Sequence, residues 1–207
     1  MRRGHVGVYL VWALVTLTAC SPPPPPSEET EALEQWLLTA DEVGAGFTET
    51  YRGTAGFGEG KLCPSADDTI PEHGVVKVDL ERGSEADRIQ LSEVLWAVAP
   101  GEMDRLFAQL EAAQAACNGQ RWRDYGDVKT FTTAIVPELG DGCLAGRLQF
   151  GDDPEGGWQE FTVMVRHGDI LAEFTLSDQS AGSPEGAAIS DQEFYAIVSD
   201  ALDKLPE

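Results

Sequence analysis

The sequence is short of positive charge. Lysine and arginine together number 14 against 36 aspartates and glutamates, and the formal net charge is −22 over 207 residues. A surface of that sign repels nucleic acid and anionic lipid head groups, which argues against DNA or RNA as a partner. The acid is spread along the chain rather than gathered into a tail, the pattern of a solvated surface. Histidine is scarce as well, at three residues. There is no G-x-S-x-G elbow, and neither His73 nor His167 stands where a serine hydrolase would need its base. No C-x-x-C pair and no ligand-like histidine spacing suggest a metal site, so no cofactor or metal is expected. Long apolar runs are also missing. The longest uncharged one, Val6 to Ala19, falls short of the roughly 20 apolar residues that cross a bilayer.

That run has another reading. Arg2 and Arg3 precede it, and it ends in Leu17-Thr18-Ala19-Cys20. A positive start, a short apolar core and small residues before a cysteine are the marks of a bacterial lipoprotein signal peptide over residues 1–19, with Cys20 as the lipidated residue. The thiol is the group in that motif able to take a diacylglyceryl chain. Ser21, Pro22 to Pro26 and Ser27 follow. A polyproline tract is stiff and extended, at roughly 3.1 Å per residue, so residues 20–29 read as a stalk. The expected location is the cell membrane, lipid-anchored on the extracytoplasmic face. Removing residues 1–19 from the 207 leaves 188, and the loss of two arginines moves the charge from −22 to −24. The remainder is one domain of ordinary size, residues 30–207, able to bury a core.

Three cysteines then remain: Cys63, Cys117 and Cys143. Outside the cytoplasm thiols tend to pair, and three permit one bond with one left over.

Hydrophobic spacing supplies the elements. Leu33, Trp36, Leu37 and Ala40 suggest a helix over 30–44, with Thr39 and Glu42 as a capping box. The glycine-rich stretch 51–61 has no clear period and reads as a loop or ragged strand. Val75, Val76, Val78 and Leu80 mark a strand. Residues 88–99 mark another, whose Leu91-to-Val94 step breaks the alternation and suggests a bulge. Pro100-Gly101 opens a helix with Met103, Leu106, Phe107, Leu110, Ala113 and Cys117 on one face, ended by Asn118-Gly119. Cys117 therefore points inward. Strands follow at 131–136 and 143–150, then a hairpin over 158–177 turning at His167-Gly168-Asp169. A last helix begins at Ser190, with Glu193 closing its box. Strands joined by short turns pair antiparallel. The expected class is α+β: a single antiparallel β-sheet with helices packed mainly on one face.

Other motifs carry less chemistry. Asp152, Asp153 and Glu155 resemble oxygen ligands for calcium, but the EF-hand order is missing and a solvated acidic loop is the simpler reading. Gly53, Gly56, Gly58 and Gly60 lack the lysine-serine step of a phosphate loop. Arg121-Trp122-Arg123-Asp124-Tyr125 is different, a cationic and aromatic segment in an acidic chain. Arg121, Trp122, Arg123 and Tyr125 are the residues expected to line a ligand cleft, should the fold form one.

Several of these segments resemble the actinobacterial PknH-like extracellular domain. They are Trp36-Leu37-Leu38-Thr39-Ala40-Asp41-Glu42-Val43, a cysteine near residue 63, and the helix carrying Leu110 and Cys117. Gly140-Asp141-Gly142-Cys143 and Val165-Arg166-His167-Gly168-Asp169-Ile170 complete the set. The resemblance spans roughly residues 30–206. It implies an extracytoplasmic α+β sensor module with a ligand cleft, of the type borne by serine/threonine kinases and by free-standing lipoproteins. It also implies a disulfide between Cys63 and Cys117. The kinase-borne members carry a second pair, and Cys143 has no downstream partner for one. A buried free thiol is the reading favoured for Cys143 over a link between chains. With no kinase domain or membrane-spanning helix, the chain is not expected to signal as the kinases do.

Two functions remain in view. One is a non-enzymatic ligand-binding or sensing lipoprotein at the envelope, its ligand a small molecule or an envelope protein. The other is an interaction module docking on another envelope protein. A deep apolar pocket with a few polar groups favours the first, and a flat exposed apolar patch the second.

Overall fold

The computed structural model describes residues 28–54, 75–84, 87–124, 127–151, 159–178 and 189–206. Eight strands form one sheet. They are β1 (Thr48–Thr54), β2 (Val75–Arg82), β3 (Ile89–Ala97), β4 (Arg121–Asp124), β5 (Asp127–Thr133), β6 (Gly142–Phe150), β7 (Gln159–His167) and β8 (Ile170–Asp178). Their order is β1-β2-β3-β8-β7-β6-β5-β4, and every neighbouring pair is antiparallel. The helices are α1 (Glu28–Glu34), α2 (Ala40–Val43), α3 (Met103–Cys117) and α4 (Asp191–Leu202).

The sheet dominates the fold, and the helices are divided between its two faces. Leu33, Leu37 and Leu38 from the N-terminal segment, with Phe194, Val198, Ala201 and Leu202 of α4, cover a first face built from Val76, Val78, Leu80, Leu91, Val163, Val165, Ala172 and Phe174. On the second face α3 lays Met103, Leu106, Phe107 and Leu110 over Val94, Trp96, Leu144, Met164 and Leu171. The reason lies in the central strands. Val94-Leu95-Trp96, Val163-Met164-Val165 and Ile170-Leu171-Ala172 are buried without a break. A strand apolar on both sides needs cover on both sides.

The same logic removes the bulge expected in residues 88–99. The register of β3 is continuous against both neighbours. Its inward positions on the first face are Ile89, Leu91, Glu93 and Leu95, so a buried glutamate stands where the period calls for an apolar residue. The irregularity falls instead in β1, between Glu49 and Tyr51. Residues 48–54 thus form an edge strand, although the glycine-rich stretch after residue 50 reads as loop or ragged strand.

Helix ends follow the expected chemistry. The Glu42 carboxylate accepts from the Thr39 N–H at 2.7 Å, and the Glu193 carboxylate accepts from the Ser190 N–H at 2.8 Å. The Gly140 to Cys143 step is also accounted for. Gly140 has φ 54°, and a Cβ there would lie 2.3 Å from the Arg166 carbonyl oxygen. No side chain fits. Asp141 then accepts the Gly168 N–H at 2.8 Å, tying the step to the β7–β8 turn.

Candidate functional site

Among the described residues, α3 leaves part of the second face uncovered, and that part is polar. In register across β2, β3, β8, β7 and β6 lie Asp79, Ser92, Thr175, Thr162 and Gly146. The next row runs Glu81, Gln90, Ser177, Glu160 and Leu148. Strand alternation puts both rows on the side opposite Leu91 and Phe174. The result is a floor of small hydroxyls rimmed by carboxylates, closed at its β6 end where the Phe131 ring lies over Gly146 and packs with Leu148.

The floor is cross-linked. The hydroxyls of Thr162 and Thr175 lie 3.0 Å apart, and Thr175 donates to Glu173 at 3.3 Å. Ser177 approaches Glu160 at 3.4 Å. Burial pushes the Glu160 carboxyl up, against the pull of Lys129 and of the Ser177 hydroxyl. Asp79 pairs through one oxygen with Lys77 at 3.3 Å. Its other oxygen is buried and has no hydrogen-bond partner among the described residues. Such a surface can bind a donor-rich polar ligand through many hydrogen bonds. It has no histidine, and among the described residues no group of side chains is arranged to hold a metal ion.

The residues singled out by sequence are placed differently. Arg121, Trp122 and Arg123 form the edge strand β4, not a connecting segment. Alternation sends Arg121 and Arg123 to the first face, where both are exposed, and Trp122 to the second. There Trp122 packs with Cys117, Phe131 and Leu148. The three side chains are therefore not brought together, and Tyr125 lies outside the described residues. Cys20, Cys63, His73 and the Asp152, Asp153 and Glu155 group lie outside them too. Cys117 is wholly buried and disulfide-bonded, while Cys143 is a free, half-buried thiol whose Sγ lies 3.4 Å from the Pro137 carbonyl. His167 ends β7, with Nε2 3.1 Å from the Pro206 carbonyl oxygen, a structural contact at the domain end.

The floor is hard to see in the sequence because the apolar positions of the 158–177 hairpin carry its alternation. The alternate positions, Glu160, Thr162, Glu173 and Thr175, carry the signal: polar side chains facing away from a core yet half-buried in the sheet's interior. Large apolar side chains that are exposed, among the described residues, are Tyr51 and Ile135. They lie at opposite ends of the sheet order and form no patch.

No family model matches the chain, and no curated protein matches it in sequence. Among solved structures it is similar to the extracellular domain of PknH from Mycobacterium tuberculosis, with a TM-score of 0.57 at 15% identity, covering 87% of this chain and 98% of that one. A Mycobacterium smegmatis protein, the Rv0999 ortholog, matches with a TM-score of 0.48 at 10% identity, over 85% and 94% of the two chains. At these identities the likeness is one of fold. The chain has a PknH-like fold, and no helix of the described residues is long and apolar enough to cross a membrane.

Proposed function

We propose that the chain is a membrane-anchored extracytoplasmic lipoprotein whose PknH-like domain binds or senses a polar ligand at the cell envelope without transforming it. The observation that carries this reading is the half-buried polar floor on the second face, set in a fold shared with an extracellular domain. A sheet face that is solvated for its own sake does not need a hydroxyl row packed between carboxylates, one of them with a buried oxygen that has no partner among the described residues. Cys20 holds the domain to the outer leaflet by lipid, and the proline tract spaces it from the surface. A disulfide from Cys117 to Cys63 is the bond this reading assigns. The ligand is a small molecule or a group on an envelope protein, rich in hydrogen-bond donors.

Native mass spectrometry of the protein purified from its own membrane tests both halves. A diacylglyceryl mass on the processed chain, absent from Cys20→Ala, supports the anchor; an unlipidated wild-type chain refutes it. A co-purified molecule lost from Thr175→Val and Asp79→Asn supports the floor. A molecule retained by both variants places binding elsewhere.

A further inference from the structure

The first face holds a group that ligand binding on the second does not use. Glu93 is 1% exposed and lies in register with Val78 and Phe174, both wholly buried. One carboxyl oxygen accepts the Leu38 N–H at 2.6 Å. The other, Oε1, has no hydrogen-bond partner among the described residues. What covers it is the turn from α1 to α2, where Leu37 and Leu38 are each 1% exposed.

That turn is held at three points on two adjacent residues. Besides the Leu38 N–H, the Leu37 carbonyl accepts from Lys204 Nζ at 3.0 Å, and the Leu38 carbonyl accepts from Arg52 Nη2 at 2.6 Å. The charged groups facing Glu93 are Arg52 from β1, Lys204 from the segment after α4, and Glu42 from α2. Both cations are engaged elsewhere: Lys204 with Glu42 at 2.9 Å, and Arg52 with Glu49 at 2.9 Å. Neither forms a direct pair with Glu93. Burial therefore dominates, pushing its carboxyl up to about 7 against the Leu38 N–H and the two distant cations.

We propose that Glu93 is the catch of a proton-operated clasp joining residues 28–47 to the sheet, closed while the carboxyl carries its proton and loosened as it ionises. An ionised carboxylate with one unsatisfied oxygen under two leucines gains water only if the α1–α2 turn lifts. Residues 28–47 connect the sheet to everything N-terminal of it. Lifting them lengthens the link to the anchor proposed above, although the clasp itself does not depend on that anchor.

Amide hydrogen exchange on the full chain tests the clasp at pH 5.5 and 8.5, with rates corrected for intrinsic base catalysis. Amides of residues 33–47 are expected to open at lower free energy than those of β7 and β8. Their protection is expected to fall at least tenfold between the two pH values, and Glu93→Gln to abolish that fall. A carbon-13 titration of the wild-type side-chain carboxyls serves should the variant not fold; one glutamate is expected to titrate near neutrality. Segment amides as protected as those of β7 and β8 would overturn the proposal. So would an equal fall in Glu93→Gln, or a Glu93 carboxyl titrating in the ordinary range.

Discussion

Replacing Gly146 by alanine adds one methyl group at the closed end of the floor, under the Phe131 ring. The backbone there is not left-handed, so alanine is conformationally admissible and should gain about 0.5–1 kcal/mol over glycine in a strand. The methyl, however, would meet Phe131 Cε2 and Cζ, each at 2.3 Å. Ordinary carbon contacts are about 3.5–4 Å, so the ring must retreat by more than 1 Å. It has little room to do so. Phe131 is 2% exposed and packed against Cys117, Trp122 and Leu148. Its backbone is fixed by its own N–H on the Gln120 carbonyl at 3.0 Å and by the Gly119 N–H on its carbonyl at 2.9 Å. Overpacking of this kind costs about 1–3 kcal/mol, leaving a net loss of about 1 kcal/mol at mid-range and up to about 2.5 kcal/mol. Urea unfolding should show a lower midpoint with an unchanged slope. The decisive measurement is a double-mutant cycle with Phe131→Leu, which removes the colliding atoms. The pair should be more stable than the sum of the single changes by about 1 kcal/mol or more. Strict additivity would refute the packing described for this corner.

Two further predictions concern stability. Because the Glu93 carboxyl titrates at about 7 in the folded chain against an ordinary value of 4.5, the folded protein binds the proton more tightly than the unfolded one. That stabilisation is complete below about pH 4.5 and lost as pH rises through 7, on the order of 3 kcal/mol, with Glu160 pulling the same way; denaturant titrations across this window should find stability falling. Ser190→Ala removes the hydroxyl that accepts the Glu193 N–H at 3.3 Å and should cost α4 about 0.5–2 kcal/mol, read as a shift in the unfolding midpoint. An unshifted midpoint would show that α4 depends on its buried face alone.

How far the sequence could be read depended on period and on punctuation. Helix α3 was legible from the spacing of Met103, Leu106, Phe107 and Leu110, and α4 from Ser190 and Glu193, because both signals are local. The β7–β8 hairpin was legible because Gly168-Asp169 sits between two alternating runs. Layering was not legible, since a run such as Val94-Leu95-Trp96 shows that both faces are buried but not which helix covers which. Strand β4 has four residues and no apolar pattern, so Arg121-Trp122-Arg123 reads as a connection until the hairpin to β5 is seen. Residues on the floor are polar in sequence, and only register brings Ser92, Thr162 and Thr175 into one row.

Glu93 raises the remaining question, because strand register does not require it. The register of β3 is already specified by Ile89 and Leu91 facing in while Gln90 and Ser92 face the floor. A methionine at 93 would fill similar volume among Val78 and Phe174 without a charge to bury. It would orphan the Leu38 N–H, at about 1–3 kcal/mol, whereas glutamine keeps that bond through its amide oxygen. Glu93→Met should therefore be less stable than the wild type at pH 5, where the carboxyl is protonated. At pH 8 the gap should close or reverse, because only the wild type then carries the cost of ionisation. If the methionine variant loses stability with pH as steeply as the wild type, the titrating group lies elsewhere. If its slope is shallower, leaving only the part that Glu160 supplies, the glutamate is a residue held at a cost to stability, and the α1–α2 turn above it is the element that responds.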